Sequence, residues 1–236
     1  MMAGDSGDVF ESGSKYPKML TEINEKPMVE VVIDNLKPLF NTQNKVIFVI
    51  KKDDNDKYYL GNIIKLMIPY AHVITVEKET SGAACTALLA IEAMDDTASL
   101  LLVNGDQILD CNLQEILQEF NQKPVDGGVI TFKSVHPRWS YVKVDDLGLV
   151  VEAAEKKPIS NSATAGFYYY KKTLEFIQYT KRMILKDAHI NGLFYICPVF
   201  NEMILDQKKI TTFEISVGKY HSLMSPDKIK QFESSC

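Results

Sequence analysis

Leu100-Leu-Leu-Val-Asn-Gly-Asp-Gln-Ile-Leu109 is the stretch whose reading decides the fold. Its four leading apolar residues, Leu100 to Val103, are too few to span a bilayer and read as a short strand buried on both faces. Asn104, Gly105 and Asp106 then stand at that strand's carboxyl end. Open α/β sheets bind ligands just outside this edge, so a carboxylate delivered there on a tight glycine turn is placed to hold a hard cation such as Mg2+. The same residues also fit a plainer role, in which Asp106 only ends the strand and caps the next segment.

Working outward, Ser81-Gly-Ala-Ala-Cys-Thr-Ala-Leu-Leu-Ala90 opens on small residues and reads as helical to about Met94. Small side chains at a helix start admit a flat base or a phosphate, and the first turn offers free N–H donors. Tight packing of the helix on the sheet would select the same residues. Further upstream, Lys45 to Ile50 and His72 to Val76 read as strands and Tyr58 to Met67 as a helix. Lys26 to Leu36 reads as a helix with Pro27 in its first turn and a buried face of Met28, Val29, Val32, Ile33 and Leu36. This alternation predicts a parallel sheet with crossover helices.

Downstream, a helix from Leu113 to Phe120 leads to a strand from Gly127 to Phe132. Trp139 to Val144 and Leu149 to Ala153 flank Asp145-Asp-Leu-Gly148 as a hairpin, and the aromatic run within Ala163 to Tyr170 suits a further strand. Helices are predicted from Leu174 to Leu185 and Phe200 to Leu205, and a strand from Ile210 to Val217. A last helix starts with Ser225 as N-cap and Pro226 at its first position. The fold class is therefore α/β, with a mainly parallel central sheet flanked by helices and a partly antiparallel C-terminal half.

A chain of 236 residues with 46% hydrophobic and 24% charged residues can bury a substantial core. A net charge of −5 argues against a general nucleic-acid binder, which needs clustered cations. Cys85, Cys111, Cys197 and Cys236 lie far apart with no C-x-x-C pair, which suits reduced thiols in a cytoplasmic protein. No apolar run approaches a membrane span, and no signal peptide is evident at the N-terminus. The opening Met1 to Phe10 is a small, polar, glycine-containing loop of the kind that lets backbone N–H groups approach a phosphate, although flexible polar termini read the same way. Lys18, fixed just after Pro17, carries a compact ammonium suited to triphosphate oxygens or simply to solvent.

Taken in order, these segments resemble the nucleotidylyltransferases of the Rossmann-like GT-A fold, best known as sugar-1-phosphate pyrophosphorylases. Met2-Ala-Gly4 with its loop, Tyr16-Pro-Lys18 and Lys26-Pro-Met28 are similar to the family's N-terminal signature, which grips a nucleoside triphosphate. Ser81-Gly-Ala-Ala84 resembles its base-contacting segment and Asn104-Gly-Asp106 its metal-binding strand end. Glu155-Lys156 and Ala165-Gly166 resemble its substrate segments, and Met224-Ser-Pro-Asp227 stands where the family often reads Gly-Thr-Pro-Glu. Val135-His-Pro-Arg-Trp-Ser-Tyr141 and Asn191-Gly-Leu-Phe-Tyr-Ile-Cys-Pro198 look closer to a subgroup of bacterial capsule and surface-polysaccharide proteins, which includes the cytidylyltransferase that activates phosphoglutamine with CTP. Three departures stand out. Gly4-Asp-Ser-Gly-Asp-Val9 lacks the family's loop arginine, and Ser222 beside His221 replaces a late metal-binding aspartate. The family's first strand would precede Met2, so either that strand belongs to a longer chain or the sheet begins differently.

The resemblance implies one domain over residues 1–236, with a nucleotide-binding half (1–133) and a substrate-binding half (134–236). It implies attack by a substrate phosphate oxygen on the α-phosphorus of an NTP, CTP favoured, with pyrophosphate release and Mg2+ as cofactor. Lys18 would meet the triphosphate, Asp106 the metal and Lys156 the incoming phosphate, with Lys157 in reserve. Ala3, Gly4, Asp5, Ser6, Ser81, Gly82, Ala83, Asn104 and Gly105 would border the nucleotide. Arg138, Glu155, Gly166 and His221 would face the phosphorylated small molecule, with Trp139 beside Arg138. The partners are thus an NTP and a phosphorylated acceptor, with no nucleic acid and no membrane, and with room for a homo-oligomer. Two rival readings are a glycosyltransferase of the same fold, disfavoured by the single acid of Asn104-Gly-Asp106, and a catalytically silent nucleotide-binding module.

Overall fold

The computed structural model describes residues 16–234. In chain order the first elements are β1 (Glu22–Ile23), β2 (Lys26–Pro27), α1 (Met28–Leu36), β3 (Ile47–Lys51), α2 (Lys52–Tyr58), α3 (Leu60–Met67) and β4 (His72–Val76). Next come α4 (Ala83–Leu88), β5 (Leu100–Val103), β6 (Gln107–Leu109), α5 (Leu113–Gln122), β7 (Gly127–Lys133), β8 (Ser140–Val144) and β9 (Val150–Glu155). The chain closes with β10 (Ser162–Tyr170), α6 (Thr173–Leu185), α7 (Val199–Leu205), β11 (Ile210–Ile215), β12 (Tyr220–Ser222) and α8 (Pro226–Glu233). Two compact units emerge. The first gathers the described residues up to Glu79 with Asn104–Leu113 and the segment from Lys219 on; the second holds Thr80–Val103 and Gln114–Gly218.

In the first unit β3 and β4 pair in parallel, from Ile47 opposite His72 to Lys51 opposite Val76. The α1 face expected from its spacing is buried: Met28, Val29, Val32 and Ile33 meet Ile50 of β3, Leu60 and Ile64 of α3, Ile108 of β6 and Leu223 in one core. Each such side chain contributes about 1.5–3 kcal/mol on leaving water. Pro27 lies just outside α1 with extended backbone (ψ 144°) and belongs to β2, so the helix begins at Met28 and not at Lys26 as expected. The expected helix from Tyr58 to Met67 starts at Leu60 as α3, and an unexpected helix, α2, precedes it. Tyr59 takes a left-handed conformation (φ 55°) and donates its N–H to the Asn55 carbonyl, ending α2, and α3 restarts at Leu60.

The second unit is built on a six-stranded sheet in the order β11-β7-β10-β8-β9, with β5 also paired to β10. Only β11 and β7 run parallel among these pairs, Ile210 opposite Gly127 through Ile215 opposite Phe132. The sheet is mixed, and the antiparallel share extends to β5, whose Val103 faces Phe167. Within β5 only Leu102 is fully buried, so its apolar run is not covered on both faces. Helix α4 ends at Leu88 and a 3-10 turn at Ile91–Ala93 follows, shorter than the run expected to Met94. Gly128 admits the Phe120 ring of α5, which would lie 2.7 Å from a Cβ there. Asn201 of α7 closes the edge strand β9: its side-chain amide exchanges two 2.8 Å hydrogen bonds with the backbone of Ala153, as a neighbouring strand would. Among the described residues no helix is long and apolar enough to cross a membrane.

Candidate active site

In the first unit, Asp106 sits between the end of β5 and the start of β6, and three devices fix it there. Leu223 donates its N–H to the Asp106 carbonyl (2.8 Å). β6 pairs with β12, Ile108 opposite His221. Asn35 of α1 donates its Nδ2 to the carbonyl of Leu109 (3.0 Å) and accepts the Leu109 N–H at its Oδ1 (3.1 Å). Gly105 is buried without a left-handed backbone, so it is not the special turn that the spacing suggested. Asn104 is exposed.

Lys18 opens a 3-10 turn, Lys18–Leu20, which follows Pro17 at φ −65° and is anchored by the buried Met19. Its Nζ donates to Asp106 Oδ2 at 2.7 Å across 88 residues of sequence, the two side chains being 11% and 25% exposed. Among the described residues Lys18 is the only side chain hydrogen-bonded to the Asp106 carboxylate, so the second carboxylate oxygen meets no side-chain donor among them. No group of three acids, histidines or cysteines suited to a metal occurs among the described residues. Mg2+ commonly takes one or two carboxylates and completes its octahedron with substrate phosphates and water, and a lone, partly exposed Asp106 fits that mode. The His221 ring lies 5.2 Å from that of Phe232 in α8, a packing contact that accounts for its place.

In the second unit, Gly82 stands at the N-terminal end of α4 with φ 106°. A Cβ there would fall 2.4 Å from the Phe194 carbonyl oxygen and 2.6 Å from the Phe194 nitrogen. The Phe194 N–H donates to the Ser81 carbonyl (2.7 Å), and the Phe194 carbonyl accepts from Ala84 (3.0 Å). Backbone packing therefore explains Gly82, and one N–H of the helix start, expected to be free, is already used. The Thr80 and Thr86 hydroxyls are hydrogen-bonded to each other, and the Gly82 carbonyl lies within reach of both to accept from one of them.

Glu155 ends β9 almost buried and accepts a short hydrogen bond from the Ser140 hydroxyl; burial pushes its carboxyl above the ordinary range, against that bond and the nearby Lys156 charge. Lys156 follows with φ 53°. Its N–H donates to the Trp139 carbonyl (3.0 Å) and its Nζ to Tyr195 Oη (2.9 Å), which raises the ammonium's pKa. Lys157 beside it is exposed with no side-chain partner among the described residues. Arg138 is exposed and lies 4.6 Å over the Trp139 ring, which in turn packs edge-on against Phe132. Gly166 takes φ 59° where β10 shifts register against β7, between Thr164 and Tyr168, so a bulge demands the glycine.

The sequence pattern of the family described as Nucleotidyl transferase matches residues 12–208. The chain belongs to that family. A Haloferax volcanii member of the curated proteins, the low-salt glycan biosynthesis nucleotidyltransferase Agl11, is 25% identical over 157 residues, covering 65% of this chain. The match spans 43% of that relative's length, so this chain corresponds to less than half of it. The solved structure of a nucleoside-diphosphate-sugar pyrophosphorylase from Vibrio cholerae superposes with a TM-score of 0.86 at 22% identity, over 99% of this chain and 98% of that one. The inositol-1-phosphate CTP transferase of T. maritima superposes with a TM-score of 0.74 at 14% identity, over 98% of this chain and 92% of that one. At these identities the likenesses show the nucleotidyltransferase fold.

For this nucleotidyl transferase family member, the sequence-predicted residues fall into three groups. Lys18 and Asp106 meet in the first unit. Glu155 and Lys156 gather with Ser140, Trp139 and Tyr195 in the second, where Ser81–Ala84 is held by Phe194. Ala3, Gly4, Asp5 and Ser6 lie outside the described residues. Sequence reasoning missed Ser140, Phe194, Tyr195 and Asn35 as positioning groups. Only the aromatic pair inside Asn191 to Pro198 gave any signal, and it was read for its wording rather than its contacts.

Proposed function

We propose that this family member is a nucleotidylyltransferase that joins the NMP group of an NTP to a phosphorylated small molecule and releases pyrophosphate. The observation that carries the reading is the 2.7 Å approach of the Lys18 ammonium to the Asp106 carboxylate. A cation and a lone hard-oxygen ligand side by side suit a metal-bound triphosphate, because phosphoryl transfer asks of a protein mainly alignment and charge neutralisation. Bound Mg2+, held by Asp106 and the triphosphate oxygens, would supply the Lewis-acid neutralisation of charge on the phosphates. Lys18 neutralises the oxygens of the α-phosphate as negative charge builds there. Lys156 orients the acceptor phosphate, one of whose oxygens bonds to the α-phosphorus while the bond to the pyrophosphate oxygen breaks. Ser81, Gly82 and Ala83 border the base, and Asn104, Gly105 and the Ala3–Ser6 loop border the triphosphate. Arg138 and Glu155 serve the acceptor.

The acceptor is a sugar phosphate or a similar phosphorylated precursor of a surface glycan, a reading supported by the glycan-biosynthesis name of the Haloferax relative. CTP is the favoured donor, supported by the subgroup wording of the sequence and by the CTP named for the T. maritima protein. The enzyme works in the cytoplasm, where NTPs are made. The test is a panel of each NTP with Mg2+ and a set of phosphorylated sugars, polyols and phosphoglutamine, read by pyrophosphate release. Release that needs both an NTP and an acceptor is expected. Turnover only with a nucleotide-sugar donor, or nucleotide binding with no release on any acceptor, would replace this reading with a glycosyltransferase or a silent module.

A further inference from the structure

Lys156 is restrained far more than an exposed lysine usually is. Its left-handed backbone (φ 53°) is one that a residue with a Cβ rarely adopts. Its N–H is tied to the Trp139 carbonyl at 3.0 Å. Its Nζ donates to Tyr195 Oη at 2.9 Å and stands 5.1 Å from the centroid of the same ring. Fixing so flexible a side chain forfeits most of its rotamer entropy, which an exposed packing contact does not repay. The neighbouring Lys157 has no such restraint.

Tyr195 is itself immobilised through its neighbours. Phe194 and Ile196 on either side are buried, at 8% and 5% exposure. The Phe194 backbone is bolted at both its N–H and its carbonyl to the Ser81–Ala84 loop. The backbone that carries the tyrosine is therefore held in place, and the lysine ammonium reaches its hydroxyl.

We infer that Tyr195 is a positioning residue that aims the Lys156 ammonium at the oxyanion of a phosphate monoester, an assignment that rests on the acceptor role proposed above for Lys156. The hydroxyl oxygen accepts one ammonium hydrogen, which leaves the other two N–H donors of the ammonium for an anion. Without the hydroxyl, the ammonium regains its rotamers and must surrender them again each time an anion binds.

The experiment is acetic anhydride footprinting of the full chain, with inorganic phosphate as the protecting probe and Lys156 acetylation read by peptide mass spectrometry. Wild type is compared with Tyr195→Phe, which keeps the ring, and Tyr195→Leu, which loses both ring and hydroxyl. A hydrogen bond from a charged ammonium is worth about 1.5–3 kcal/mol, so the phosphate concentration that half-protects Lys156 should rise about tenfold to a hundredfold in Tyr195→Phe and further in Tyr195→Leu. The exposed Lys143 and Lys172 should acetylate at unchanged rates. Equal protection of Lys156 in wild type and Tyr195→Phe overturns the inference while leaving Lys156 as the phosphate group. Acceleration at all three lysines marks general loosening and also overturns it. Failure of phosphate to protect Lys156 even in wild type removes the proposed role of Lys156, and that of Tyr195 with it.

Discussion

Breaking the Lys18–Asp106 pair should separate its structural from its chemical role. At 2.7 Å and an effective dielectric of about 20, Coulomb's law gives a gross attraction of about 6 kcal/mol. Most of this is offset by desolvation, chiefly of Lys18 at 11% exposure, and the 25% exposure of Asp106 lets solvent screen the remainder. A net coupling of about 1–2 kcal/mol is therefore expected, above that of a surface pair and below that of a fully buried one. The assay is a double-mutant cycle by urea denaturation with Lys18→Met, which keeps the alkyl stem against the core, Asp106→Ala, and the double variant. Asp106→Ala should be the more destabilising single change, because it leaves the more buried charge without its carboxylate. Pyrophosphate release should fall about a hundredfold to a thousandfold in each single variant. Because the two groups act on one triphosphate, the double variant should fall little further than either. Stability effects that add within about 0.3 kcal/mol would refute the ion pair as an energetic unit. Near-normal turnover by a folded Asp106→Ala protein would refute its role at the metal.

Two further outcomes concern the second unit. Gly82→Ala should destabilise the protein by about 2–4 kcal/mol, because φ 106° is strained for alanine and the new Cβ meets the Phe194 backbone at 2.4 Å; Gly218→Ala, with nothing within 4 Å of the added carbon, is the near-neutral control in the same urea titration. Burial raises the Glu155 carboxyl above its ordinary value of 4.5, so the folded state holds that proton more tightly than the unfolded chain does. The stability this proton confers is present at pH below 4.5 and is lost as pH climbs from there through the raised value. Glu155→Gln, which can still accept from Ser140, should therefore gain stability relative to wild type over that window, and a difference between the two that does not change with pH would refute the burial account.

The nucleotidyltransferase fold was legible because its elements announce themselves locally. The spacing of Met28, Val32 and Ile33 required a buried helix face, and α1 buries it. Asp145-Asp-Leu-Gly148 required a hairpin, and the pair Ser225-Pro226 required a helix start; the Ser225 hydroxyl does accept the Lys228 N–H. Lys18 and Asp106 could be nominated by residue type and position, since a lysine fixed after a proline and an acid after an apolar strand each carry a chemical meaning alone.

What the tertiary structure alone decided concerns partners far away in sequence. An apolar run such as Leu100 to Val103 encodes burial but not the direction of its neighbour, and β5 proved antiparallel to a strand far along the chain, through the pairing of Val103 with Phe167. The short helix α2 could not be read from the sequence because it buries no side chain and so leaves no apolar stripe, and the left-handed Tyr59 ends it. The small residues at Gly82 suited either a base or close packing, and the Phe194 backbone, far along the chain, supplies the packing on its Cβ side. Lys156 and Lys157 are indistinguishable as letters; a tyrosine hydroxyl 39 residues away engages the first and leaves the second to solvent. Periodicity and residue chemistry are properties of a chain segment, while the distance from one side chain to another exists only once the backbone has closed around them.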